Sequence, residues 1–134
     1  MTTDARILWL RRVLAVKTCV TVLVWGLPAL LGPLSLLDFL KVPVPADPLY
    51  LRLFGGACTA WGVAYLLAYR DPVRNVAIIK AGVVDNALPT IAIVVIGLTG
   101  GISSAFIWVS AVFTAAFCVS FLVLMPREEG TATT

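Results

Sequence analysis

The apolar residues of this chain fall into four long runs separated by short polar or proline-containing segments. The runs cover about residues 7–31, 49–69, 74–98 and 103–125. Each is long enough to cross a bilayer as a helix, which takes roughly 20 predominantly apolar residues. Because a segment in lipid must satisfy its own backbone hydrogen bonds, we predict a helix in every run. The predicted fold class is all-α, an antiparallel four-helix transmembrane bundle that forms one domain over 1–134.

The breaks between the runs carry residues that end helices. Gly32 and Pro33 follow the first run, and Asp71 and Pro72 follow the second. Proline disfavours helical backbone in the residue before it, and glycine commonly stands just past a helix. No small-residue cleavage pattern follows the first run, so we expect a retained helix there instead of a signal peptide. Residues 126–134 are predicted to be a polar tail.

The connection between the first two runs is long enough to hold structure of its own. Apolar residues surround Asp38 and end at Lys41, which suits a short helix lying in the membrane interface. Pro43, Pro45 and Pro48 then predict a stiff, extended return. Two other interpretations are an apolar loop packed over the helix ends and a docking surface for a larger partner.

Composition and charge place the chain in a membrane. With 60% hydrophobic residues and a mean hydropathy of +1.01, it cannot cover itself with a polar surface. Lys and Arg near helix ends are retained in the cytoplasm, which predicts that both termini are cytoplasmic. The net charge of +3 needs no nucleic acid to explain it, because topology and anionic lipids account for the cations. The residues on the predicted cytoplasmic side are Arg6, Arg11, Arg12, Arg70, Arg74 and Arg127, against Lys41 and Arg52 on the other side.

Conventional catalytic and cofactor chemistry finds little support in the sequence. The chain has no histidine, and Cys19, Cys58 and Cys118 are isolated within predicted helices. Histidine is the commonest transition-metal ligand, and redox thiols usually occur as a CxxC pair. No nucleophile elbow or glycine-rich phosphate loop is present either. We therefore expect no metal and no cofactor, and we favour a protein that is not an enzyme.

One polar group of residues interrupts the third run, in "KAGVVDNALPT". If this helix enters the bilayer near Arg74, a rise of about 1.5 Å per residue places Asp85 roughly 16 Å deep, near the centre. A bare charge there costs at least about 2.5 kcal/mol, so Asp85 must be neutral, paired or in contact with water. Pro89 lacks the amide that would bond the carbonyl of Asp85, which predicts a kink. Asn86 and Thr90 are the neighbouring donors, so this face should point into protein.

Two basic residues are candidates for interaction with that group. Lys17 enters the bilayer from the same side at a similar depth, and we predict that it pairs with Asp85. Arg52 starts the second helix from the opposite side, on a stripe that continues through Gly55, Thr59 and Gly62. Small residues of this kind let membrane helices approach closely. The polar residues then form a staple that fixes helix packing, or the wall of a cavity for a proton, a small solute or a lipid headgroup. A third interpretation is that the charges contact a partner subunit.

The second run resembles a known family. "LYLRLFGGACTAWGVAYLLAYRDPVR", residues 49–74, is similar to the second helix of small bacterial four-helix proteins of the DoxX-like kind. Arg52, Gly55-Gly56, Gly62 and Asp71-Pro72 carry the likeness, which does not extend to Asp85 and Asn86. Named members of that family are small subunits of quinol oxidases or partners in redox complexes. The resemblance implies an accessory subunit in a bacterial cytoplasmic (inner) membrane.

Taken together, the sequence predicts a non-catalytic accessory or stabilising subunit of a larger bacterial inner-membrane complex. Its partners would be membrane lipids and larger membrane subunits. A second hypothesis is a homo-oligomeric proton-coupled or small-solute transporter that uses Asp85. A third is a lipid-binding bundle, which needs a roomy cavity beside Asp85.

Overall fold

The computed structural model describes residues 2–126, and all regular structure within them is helical. Four helices in this part of the chain are long and apolar enough to span a membrane, which confirms the predicted fold class at that level. The predicted polar tail covers 126–134, and its residues after 126 lie outside the described residues. The helices are α1 (Thr3–Leu31), α2 (Ser35–Phe39), α3 (Leu49–Arg70), α4 (Val76–Leu98) and α5 (Ala105–Leu124).

Three helix starts, those of α1, α4 and α5, differ from the predicted runs, and the first two have local reasons. Helix α1 begins four residues early because Thr2 caps it, its hydroxyl oxygen accepting from the amide of Ala5 at 3.4 Å. Helix α4 begins later, at Val76. The preceding turn is held by the Asp71 carboxylate, which accepts from the amide of Arg74 at 3.0 Å. Polar capping therefore sets these two starts, whereas hydropathy alone indicates only the approximate spans.

Hydrogen bonds across the bundle show that α1 runs antiparallel to both α3 and α5. The guanidinium of Arg6 donates to the carbonyls of Val123 at 2.8 Å and Met125 at 3.0 Å. The guanidinium of Arg11 donates to the carbonyl of Arg70 at 3.3 Å. The beginning of α1 thus lies beside the ends of α3 and α5. We call this the terminal end of the bundle, and the opposite end, where α1 leads into α2, the loop end.

The interior changes character along the bundle. Its apolar core lies toward the terminal end and closes completely, since its largest members have no exposed surface. Buried polar side chains follow at mid-height, among them Lys17, Thr21 and Asn86. An apolar pocket lies at the loop end. The core residues are Leu10, Leu14, Tyr65, Ala68, Ile79 and Phe121.

Part of α1 departs from α-helical geometry. Residues Val20–Gly26 form a π-helix, in which the backbone bonds run from i to i+5. Sequence patterns do not predict this segment. It lies where α1 packs against α3 and begins three residues after Lys17.

Helix α2 ends in a backbone conformation that a lysine rarely adopts. The amide of Lys41 donates to the carbonyl of Asp38 at 3.0 Å, and that of Val42 donates to Leu37 at 2.9 Å. This is the Schellman pattern, and it places Lys41 in the left-handed region at φ 53°. Helix α4 ends with the same pattern but uses Gly100, at φ 82°.

We expect replacement of Lys41 by glycine to stabilise the fold by about 1 kcal/mol. A residue with a Cβ pays roughly that amount to stay in the left-handed region, whereas glycine does not. The measurement is the free energy of unfolding in a titration with denaturing detergent. Gly100→Ala is the matched reverse change and should lower the same quantity. A Lys41→Gly protein no more stable than the parent would contradict the expectation.

Candidate functional site

Four polar side chains from three helices meet at mid-height of the bundle. They are Lys17 of α1, Tyr65 of α3, and Asp85 and Asn86 of α4, and we call them the polar cluster. Lys17, Tyr65 and Asn86 are buried, and the Asp85 side chain retains 26% of its surface. The cluster therefore joins three helices through polar contacts in a mostly apolar surrounding.

Asn86 is the centre of the cluster. Its side-chain oxygen accepts from the ammonium of Lys17 at 2.7 Å. Its amide nitrogen donates to the carbonyl of Gly82 at 2.6 Å and to the hydroxyl of Tyr65 at 3.4 Å. A buried amide without hydrogen-bond partners would raise the free energy of the folded state. Because both ends of the Asn86 amide have partners, Asn86 favours this arrangement of the three helices.

Asp85 is the second partner of Lys17. One of its carboxylate oxygens lies 3.7 Å from the Lys17 ammonium. The same oxygen accepts from the hydroxyl of Tyr65 at 2.7 Å. The structure therefore contains the predicted contact between Lys17 of α1 and Asp85 of α4. The shorter contact of the lysine is to the neighbouring Asn86.

Aromatic rings complete the surroundings of the lysine. Its ammonium lies 5.3 Å from the centre of the Tyr65 ring and 5.1 Å from that of Phe117. Cations are attracted to ring faces within about 6 Å, more strongly where water is absent. The Tyr65 ring also contacts the tilted rings of Trp61 and Phe121, at 5.6 and 5.7 Å between ring centres. The ring that faces Lys17 is consequently fixed in place.

Helical spacing and one small residue bring these groups together. Leu10, Leu14, Lys17 and Thr21 recur at intervals of three and four residues and are all buried, so they form the inner face of α1. On α4, Gly82 lies one turn before Asn86. A Cβ at Gly82 would stand 2.9 Å from the Tyr65 ring. The absence of that atom is what allows the tyrosine to reach α4.

Thr90 and Pro89 lie further along α4 than the polar cluster. Thr90 shares a hydrogen bond of 2.7 Å with Thr114 of α5 and donates to the carbonyl of Asn86 at 2.8 Å. That acceptor is the carbonyl next to the one that Pro89 deprives of its usual donor. The α-helix continues through Pro89, which is exposed. Thr90 thus ties α4 to α5, and the kink at Pro89 stays a prediction.

Arg52 is not part of the polar cluster. It lies at the loop end, where its guanidinium donates to the carbonyl of Ala29 at 3.0 Å. The stripe that follows it packs on α1. A Cβ on Gly55 would meet the backbone at Ala29 and Leu30, and one on Gly62 would meet the side chain of Val22.

Thr59 belongs to the same contact between α1 and α3. A Cβ on Gly26 would stand 2.6 Å from its hydroxyl oxygen and 3.1 Å from its backbone nitrogen. The Thr59 hydroxyl itself donates to the carbonyl of Gly55 at 2.8 Å, within its own helix. Thr59 is therefore small enough to let α1 approach closely, and its hydroxyl is hydrogen-bonded within α3.

Sequence reasoning missed Tyr65, although the chain contains an indication of it. Tyr65 follows Gly62 by three residues and so continues the stripe that begins at Arg52. A tyrosine on the small-residue face of a membrane helix needs a partner for its hydroxyl. Extended to mid-height, where Asp85 is also expected, that stripe indicates Tyr65 as a hydrogen-bond partner of Asp85.

Thr21 is a buried polar group without a partner among the described residues. Its hydroxyl has no hydrogen bond, whereas Thr18 donates to the carbonyl four residues earlier at 2.8 Å. Thr21 lies in the π-helical segment, whose backbone geometry differs from that of the α-helical turn that holds Thr18.

We expect Thr21→Val to raise the free energy of unfolding by about 1 kcal/mol. Valine has nearly the same shape and removes a hydroxyl that is buried without a bond. Thr90→Val is the matched control, since it removes a hydroxyl that has two partners and should be destabilising. Both are measured by denaturing-detergent titration, and a loss of stability in Thr21→Val would show that the hydroxyl is in fact bonded.

The cluster's chemistry is that of hydrogen bonds and an ion pair. Among residues 2–126, no three cysteine or carboxylate side chains come together as a metal site requires.

Comparisons of the chain with protein families, curated proteins and solved structures find no match. The resemblance of residues 49–74 to DoxX-like proteins therefore stays a prediction.

Proposed function

We propose that the chain is a multi-pass protein of the bacterial inner membrane with both termini in the cytoplasm. The distribution of charge supports this placement, since five arginines of the described residues belong to the terminal end. They are Arg6, Arg11, Arg12, Arg70 and Arg74, against the acidic Asp4 and Asp71. At the loop end Lys41 and Arg52 are balanced by Asp38 and Asp47. An excess of cations on one side is typical of the cytoplasmic face.

Within this membrane we assign the chain the role of a non-catalytic accessory or stabilising subunit of a larger complex. The observation that carries the assignment is the internal pairing of the polar cluster. Lys17, Tyr65 and Asn86 all bond to one another or to Asp85, so their polar groups hold helices together. Such an arrangement serves assembly and stability better than turnover of a substrate.

The contact with a larger subunit would lie on α4. This helix packs mainly on α5 and has the smallest buried share of the four spans. Large exposed apolar residues recur along it at intervals of four and three residues, which is the spacing of an interhelical seam. They are Val84, Leu88, Ile91, Val95 and Leu98. We call this set the α4 seam.

Mild extraction from the native membrane, followed by mass spectrometry of the proteins that stay bound, tests the role. We expect a reproducible set of larger membrane proteins. Leu88→Trp, in the α4 seam, should release them, while Val119→Trp, equally exposed on α5, should not. Migration of the chain alone, or identical retention in both variants, would count against an accessory role through this face.

A transporter that uses Asp85 is the second candidate. The observation that favours it is the 26% of the Asp85 side chain that stays exposed beside a buried lysine. Intramembrane carboxylates of this kind mark proton and cation pathways. On this hypothesis Asp85→Asn abolishes ion movement in vesicles while the protein still inserts. Unchanged movement in that variant would exclude the candidate.

A further inference from the structure

The loop end of the bundle contains an apolar pocket of about 250 Å³. The last turns of α1, the helix α2 and the first turns of α3 and α5 form its wall. The rings of Trp25 and Phe106 contact each other there, tilted by 43° with centres 4.9 Å apart, and Phe54 meets Trp25 edge-on at 6.5 Å. Leu37 of α2 contributes to the same wall. The short helix therefore covers the helix ends and also encloses part of this space.

The lining determines the class of occupant. Nearly all of the surface that faces the pocket is apolar, and a cavity of that kind does not hold ordered water. An apolar cavity smaller than this one can bind a hydrocarbon such as benzene. Val24 is exposed on α1 at the edge of the pocket and Pro28 beside it is half-buried, so the pocket opens toward the side of the bundle. A hydrocarbon chain that enters sideways from lipid fits both the chemistry and the opening.

A guanidinium lies beside this pocket. Arg52 follows Leu51, a residue of the wall, and it contacts the carbonyl of Ala29, another residue of the wall, at 3.0 Å. Arg52 is three residues into α3, roughly 4.5 Å along the axis from its start. A long arginine side chain that close to the end of a membrane helix can reach the headgroup region. Arginine has five donors in a planar fork that matches phosphate oxygens, and one contact to Ala29 leaves others available.

The acidic residues of this end do not neutralise Arg52 by direct pairing. Asp47 accepts from the amide of Leu49 at 2.8 Å and so caps α3. Asp38 is exposed on α2, next to the exposed Lys41. No ion pair of Arg52 with either carboxylate occurs among residues 2–126.

We propose that the loop-end pocket binds an acyl chain of a phospholipid whose phosphate is held by Arg52. The proposal rests on the membrane placement above and is independent of the accessory role. It also differs from a lipid site at Asp85, because the pocket lies at the loop end and the polar cluster at mid-height.

Fluorescence quenching of Trp25 tests the proposal. Trp9, Trp61 and Trp108 are changed to phenylalanine, and the protein is purified in maltoside micelles. Phosphatidylcholine with bromine atoms on an acyl chain is then titrated in. A companion protein that keeps only Trp108, which is exposed on α5, reports lipid in the surrounding micelle.

We expect half-maximal quenching of Trp25 at about a tenfold lower lipid fraction than that of Trp108, because a charge-assisted contact adds to the burial of the chain. A monoacylglycerol with the same brominated chain lacks the phosphate and should lose this preference. Arg52→Gln should have the same effect with phosphatidylcholine. Ile107→Phe, which fills the pocket, should abolish the preferential quenching altogether.

The quenching curves show whether the pocket proposal fails alone or together with the placement of the helices in a membrane. If both tryptophans are quenched along the same curve, the chain lies in an apolar belt but the pocket proposal is wrong. If neither is quenched, both the placement and the pocket fail. Equal quenching by phosphatidylcholine and the monoacylglycerol in the unaltered pocket would overturn the assignment of phosphate to Arg52.

Discussion

Replacing Lys17 with methionine is expected to lower the free energy of unfolding by about 3 kcal/mol. The change leaves Asp85 at mid-height without its cation and leaves the side-chain oxygen of Asn86 without its donor. Breaking a buried pair by removing one partner typically costs about 3 to 5 kcal/mol. The 26% exposure of the Asp85 side chain places the expected loss at the lower end of that range. Titration with denaturing detergent measures the loss. Asp85→Asn should also be destabilising, since it leaves a buried ammonium with neutral partners only.

The double variant distinguishes a pair from two independent residues. Lys17→Met with Asp85→Asn removes both charges, so part of the combined loss should be recovered, and the coupling should reach about 1 kcal/mol or more. Strictly additive losses would mean that the 3.7 Å contact between Lys17 and Asp85 contributes nothing to stability. If both single variants were as stable as the parent, the polar cluster would have no role in assembly, and the transport hypothesis would gain.

Replacing Gly55 with alanine is expected to cost about 2 kcal/mol. An added Cβ would collide with backbone atoms of Ala29 and Leu30, and two helix backbones must then separate. Overpacking of this kind typically costs about 1 to 3 kcal/mol. Loss of thermal stability in mild detergent, together with a lower free energy of unfolding, measures the effect.

Gly56 provides the matched control for that experiment. It is the next residue of α3, and a Cβ there meets nothing within 4 Å. Because alanine favours a helix over glycine by about 1 kcal/mol, Gly56→Ala should be neutral or slightly stabilising. Equal losses in the two variants would locate the effect in the helix itself and not in the contact between α1 and α3.

The sequence by itself determined the class of fold. Long apolar runs can satisfy their backbone in lipid only as helices, so the four spans follow from hydropathy without any tertiary information. It also indicated Lys17 as a partner for Asp85, because both lie at a similar depth from the same side. The glycines of α3 were identifiable for a similar reason, since small residues at helical intervals mark a close approach.

Only the tertiary structure decided which polar groups bond to which. Tyr65 reaches α4 because Gly82 leaves room for its ring, and Asn86 takes the shortest contact with Lys17. These are differences of a few ångströms in the approach of side chains from distant parts of the chain, and helical periodicity fixes only the face on which each one lies. The π-helical segment and the loop-end pocket have the same origin, because both depend on how α1 packs against other helices. Depth and face are local properties of a sequence, whereas partners and cavities arise from packing.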